Sequence, residues 1–228
     1  MTRISVEGHA RRTHPAELGT VRLSVTFSGA DRSEVADAAG RVHSRLVDQA
    51  REHASSGAAT RWDASSVHAF SFEDWVKPEA HQGEQKVRRF RASAGLSVVF
   101  ADFDALSAWI TDVLDTDGVD LGGVEWDLTE ETRDTLLAEV RTEAARETAE
   151  RAQAYAAALG LGEVRPVAVF EDGLRPGVGG PGVGHPERRM FAMAADAGPQ
   201  LELSPGDLEV TARVTADYEA SAPVRQSV

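Results

Sequence analysis

Polar and apolar residues alternate most regularly from Val21 to Ser28. Val21, Leu23, Val25 and Phe27 fall on one side, and Arg22, Ser24, Thr26 and Ser28 on the other. A period of two is that of a strand with one buried face. The same alternation predicts a short strand at Ile4, Val6 and Gly8, a long one over 89–100, and a last one from Leu208 to Tyr218. Residues 60–72 read as another strand, followed by a polar loop over 73–85 that holds Pro78 and Gly83. Residues 119–128 form a strand whose period breaks at Gly122-Gly123, which predicts a bulge there. Val164 to Glu171 is a further strand.

Spacings of three and four mark the helices. Asp31-Arg-Ser-Glu34 has the form of a capping box, and Val35, Ala38, Ala39, Val42, Leu46, Val47 and Ala50 follow it as one stripe. Asp102 precedes a shorter helix built on Phe103, Leu106, Trp109, Ile110 and Val113. Thr129, with Glu130 and Glu131 at the positive end of the helix dipole, opens a long alanine-rich helix. That helix carries Leu136, Leu137, Val140, Ala144, Ala152, Ala156 and Leu159. It stops at Gly160, where a left-handed residue is wanted.

The resulting order, β-β-α-β-β-α-β-α-β-β, places strands in pairs between helices. This predicts an α+β fold with a mainly antiparallel sheet and helices packed on one face. No break in composition divides the chain, so residues 1–220 are expected to form a single domain and 221–228 a flexible tail.

Charge narrows the partners. The 228 residues hold 24 Lys and Arg against 37 Asp and Glu, a formal charge of −13. Such a surface repels phosphate backbones, so the expectation is no nucleic-acid partner. There is no cysteine, which removes disulfides, thiolate metal sites and a cysteine nucleophile. No stretch approaches the roughly 18 apolar residues of a membrane span. The first residues lack the apolar core of a secretory signal. The expected protein is soluble and cytoplasmic, with no membrane partner.

Candidate chemistry is sparse. Gly177-Val-Gly-Gly-Pro-Gly182 matches the dinucleotide fingerprint by letter. However, Pro181 and Pro186 stand where the required helix would begin, so the segment reads as a loop. His9, His14, His43, His53, His68, His81 and His185 lack the close spacing of metal ligands; His43 and His53 are about three helical turns apart. Glu171-Asp172 and Asp102/Asp104 are explained by strand ends and capping. Lys86-Val-Arg-Arg-Phe-Arg91 alternates base and apolar residue, which favours pairing with acids on a neighbouring strand. Trp62 and Trp75 flank the polar loop, and a tryptophan there is either tucked onto the sheet or a contact anchor. No catalytic, cofactor or metal residue is assigned, and no cofactor is expected.

Several segments taken in order resemble the SIMPL-domain family. These are Ile4-Ser-Val-Glu-Gly-His-Ala10, the strands Val21–Phe27 and Phe90–Phe100, and Glu150-Arg-Ala-Gln-Ala-Tyr-Ala-Ala-Ala-Leu-Gly160 with Leu161-Gly-Glu-Val164. The series closes with Leu203-Ser-Pro-Gly206 and Leu208-Glu-Val-Thr-Ala-Arg-Val214. The resemblance implies a SIMPL-like α+β fold and carries no agreed catalytic residues. The glycine-rich insertion before the last strand is longer than is usual in the family.

Two functional classes follow. The first is a non-enzymatic scaffold or binding module that self-associates as a homo-oligomer, with Trp75, Arg89 and Arg91 as interface residues. The second is a small-ligand-binding protein or enzyme with its site at the Gly/Pro-rich loop 172–200, since long loops in compact domains are often functional.

Overall fold

The computed structural model describes residues 1–76, 85–176 and 205–222. Its elements are β1 (Thr2–Pro15), β2 (Leu18–Gly29), α1 (Arg32–Ser56), β3 (Ala59–Ala64), β4 (His68–Val76), β5 (Gln85–Phe100), α2 (Phe103–Leu114), β6 (Val119–Asp127), α3 (Glu130–Ala158), β7 (Val164–Glu171) and β8 (Asp207–Ala220). The fold is α+β and its strand pairings are antiparallel, as the alternation predicts. The strands lie in two sheets where one was expected. The chain folds as two compact units: β1, α3, β7 and β8 form one, and the elements from β2 to β6 form the other.

The smaller sheet has the order β1-β8-β7. β1 pairs with β8 along its whole length, from Thr2 opposite Ala220 to Pro15 opposite Asp207. Ile4, Val6 and Ala10 of β1, together with Val210, Val214, Ala216 and Tyr218 of β8, are buried. The buried face of α3 is Leu136, Val140, Ala144, Thr148, Ala152 and Ala156. The small ones among them, Ala144, Thr148, Ala152 and Ala156, let helix and sheet approach closely, so that a Cβ on Gly8 would lie 2.2 Å from the Ala144 carbonyl oxygen. Thr148 is a polar core residue that the apolar series omits. Its hydroxyl donates to the Ala145 carbonyl at 2.7 Å and lies 2.8 Å from the Tyr218 hydroxyl, so both groups are satisfied. Leu159, by contrast, is exposed. The helix ends as the sequence requires: Gly160 has φ 67° and its N–H donates to the Ala157 carbonyl. Tyr155, one turn earlier, is exposed.

The larger sheet has the order β3-β5-β2-β6, with β4 also paired to β5. Its core is bulky. Val21, Leu23 and Val25 of β2, and Leu96, Val98 and Phe100 of β5, meet Leu46 of α1 and Leu106, Trp109, Ile110 and Val113 of α2. Trp62 and Trp126 pack against this cluster from its margin. Asp31 caps α1 by accepting from the Ser33 and Glu34 amides, and Asp102 caps α2 through Asp104 and Ala105. The expected bulge in β6 is present: Arg22 faces Gly123 and Leu23 faces Leu121, leaving Gly122 over. The strand expected over 60–72 is in fact two, and the second continues through Val76. The break lies at residues 65–67, where Ser65 exchanges hydrogen bonds with Gly95.

Candidate functional site

β4 and the first half of β5 make a ribbon whose outer part lies beyond the partner strand β2. β2 pairs with β5 only from Phe90 onward, whereas β4 follows β5 out to Val76 opposite Gln85. The register assigns two faces. Phe70/Arg91, Phe72/Arg89 and Asp74/Val87 share one; Ser71/Phe90, Glu73/Arg88 and Trp75/Lys86 share the other. The three residues expected at an interface therefore meet on one ribbon, with Trp75 on the face opposite Arg89 and Arg91.

Large apolar groups stay in water here. Trp75 is 58% exposed and Phe70 is 48% exposed. Cations lie over the rings: Lys86 over Trp75, Arg88 over Phe90 and Arg91 over Phe72. The expected cross-strand pairing with acids holds for two bases. Lys86 Nζ meets Glu73 at 2.7 Å, and Arg89 Nε stands 4.0 Å from Asp74. The other two bind hydroxyls instead, Arg88 at Ser71 and Arg91 at Ser28. Four bases against two acids make the described ribbon net positive in a chain of charge −13.

A second cluster sits on the smaller sheet. Asp217 of β8 is 2% exposed. It accepts from Ser5 Oγ at 2.6 Å, Arg3 Nη2 at 2.7 Å and Arg175 Nη2 at 2.7 Å. The Ser5 hydroxyl is the chief cause that holds the Asp217 carboxyl below the ordinary carboxylate range; burial opposes it, and the two guanidinium groups reinforce it. Arg175 also lies over the Phe170 ring. The cluster ties the chain just after β7 to the sheet. Sequence reasoning missed it, because Asp217 stands at an outward position of β8 like Thr215 and Arg213, and no spacing announces that Arg175 folds back over it.

The other candidates are distributed singly. Glu171 pairs with Arg141, Asp102 caps α2, His43 approaches the Gly95 carbonyl, and His53 packs edge-on to Phe100 and Trp109. Among the described residues no group of three metal-ligating side chains converges. An open hollow of about 760 Å³ runs along α1, lined by Ala36, Gly40, Arg41, Ser44 and their helical neighbours alone. The glycine motif 177–182 and most of the loop 172–200 lie outside the described residues. No helix among the described residues is long and apolar enough to cross a membrane.

The architecture is thus that of an α+β protein built on antiparallel sheets, with exposed Phe70 and Trp75 set among four basic side chains on one ribbon. A family model, SIMPL, a protein of unknown function (DUF541), matches residues 4–218, nearly the whole chain. The chain belongs to the SIMPL family. No curated protein matches it.

Proposed function

We propose that this chain is a non-enzymatic binding module that self-associates through the β4–β5 ribbon. The observation that carries the reading is the exposure of Trp75 and Phe70 among Lys86, Arg88, Arg89 and Arg91 on a two-stranded projection. Aromatic and arginine side chains are enriched where proteins meet, and acidic partners are drawn to a basic patch. A net-negative copy of the same chain supplies such a partner. The expected result is a homo-oligomer at micromolar concentration whose mass falls as salt rises, because screening shortens the reach of surface charges. Light scattering at two salt concentrations tests this, and a monomer mass at both overturns it.

The rival reading, a ligand or substrate site at the loop 172–200, draws its support from the Asp217 cluster at the root of that loop. The carboxylate there is already occupied by three donors of its own chain, which favours an anchoring role for the cluster.

A further inference from the structure

We propose that the β4–β5 ribbon of one copy seats on the C-terminal end of α2 in a second copy, with Trp75 and Arg88 against Leu114 and the aspartates around it. This rests on the self-association reading above and names the surface that receives the ribbon.

The α2 end carries an excess of negative charge. The last carbonyls of a helix carry partial negative charge and favour a cation nearby. α2 has no basic residue in its last turn and is capped by Asp115. Residues 111–120 read TDVLDTDGVD, with Asp112, Asp115, Asp117 and Asp120 and no Lys or Arg. None of the four aspartates has an ion-pair partner among the described residues. Asp112 takes only a long hydrogen bond of 3.4 Å from Gln49. The neighbouring Arg45 is directed to the Thr116 hydroxyl at 3.2 Å. Leu114 stands 41% exposed in their midst.

The ribbon is the complement. Arg88 lies over the Phe90 ring and bonds the Ser71 hydroxyl, with no carboxylate partner among the described residues. Trp75, on the same face, supplies the apolar centre. One surface is thus a leucine among unpaired aspartates, and the other an indole beside Arg88 and the Lys86–Glu73 pair, with one base in excess. Such a match of apolar centre and opposite charge gives register and specificity to an interface. Donor and acceptor patches differ, so the contact runs head to tail. It closes into a ring or continues as a filament unless two copies exchange ribbons.

Sedimentation velocity of the full chain at low salt, across a concentration series, tests the pairing with three variants: Arg88→Glu, the double change Asp115→Lys with Asp117→Lys, and all three changes together. The lysines complement the α2 dipole, so lost assembly in that variant is not lost folding; circular dichroism checks this. Each reversal alone is expected to weaken association on the order of tenfold or more. The combined variant is expected to regain most of it. Assembly unchanged by either single reversal, or no recovery when they are combined, overturns the seat on α2 while leaving self-association standing. A monomeric wild type overturns self-association itself, and this seat with it.

Discussion

The two units solve the problem of covering a sheet in opposite ways. In the larger unit, branched and aromatic side chains fill the space between sheet and helices, with Phe100, Leu46, Leu106 and Ile110 fully buried. In the smaller one, α3 lies against β1 and β8 through Ala144, Thr148, Ala152 and Ala156, over a glycine. Bulky packing gains its energy from large buried surfaces and is injured by removing atoms. Close packing of small residues has little volume to lose and is injured by adding atoms.

This contrast breaks most readily where the larger unit is hollowed. Phe100→Ala is expected to cost about 3–5 kcal/mol, as removal of a buried aromatic side chain does. Chemical denaturation followed by circular dichroism reads the loss. A change under 1 kcal/mol would mean that α1 and α2 do not hold the sheet as described. Next comes an addition to the smaller unit. Gly8→Ala inserts one methyl group against the Ala144 carbonyl and is expected to cost roughly 1–3 kcal/mol. A neutral outcome there would remove the distinction between the units.

The Asp217 cluster sharpens the comparison, because it adds charged bonds to the thin unit. Asp217→Asn is expected to cost about 1–3 kcal/mol at neutral pH, the scale of hydrogen bonds to an ionised group. The sign with pH follows from the depressed titration of the carboxyl. Its contribution is present above the ordinary carboxylate range and is lost as pH falls through the depressed folded-state value. The gap between wild type and Asp217→Asn should therefore close in acid; a gap independent of pH would show that the ionised form is not what stabilises. Smallest is the effect of Trp75→Ala on folding, expected within about 0.5 kcal/mol because the side chain is exposed. The same change should lower the association measured by light scattering. A large loss of stability would make Trp75 a structural residue instead.

Much of this fold is legible along the chain. The alternation of β2, the caps Asp31 and Asp102, the glycine stop at Gly160 and the bulge at Gly122 all follow from local rules, and the structure contains each of them. The separation into two sheets is not local. It depends on Thr2 finding Ala220 across nearly the whole chain, and alternation says which face a residue takes but not which strand lies beside it. The ribbon reads shorter in the sequence for a related reason. Its outer residues are exposed or half-buried on both faces, so Glu73 and Asp74 read as loop where the backbone is still paired. Thr148 is hidden by its hydroxyl, which that core accepts because the Ala145 carbonyl of its own helix and the opposing Tyr218 both bond it. Of the candidate site, Trp75, Arg89 and Arg91 were visible as residue types. Their division between two faces needed the register of β4.

The aromatic residues divide between the units in a way that makes the protein its own optical instrument. All four tryptophans, Trp62, Trp75, Trp109 and Trp126, belong to the elements from β2 to β6, and both tyrosines, Tyr155 and Tyr218, belong to α3 and β8. Indole emission therefore follows the larger unit alone, and the buried Tyr218 phenol, separated from the overlapping indole band by derivative absorbance, follows the smaller. Without any label, a melt recorded in both signals tells whether the two halves of the chain let go together or in sequence.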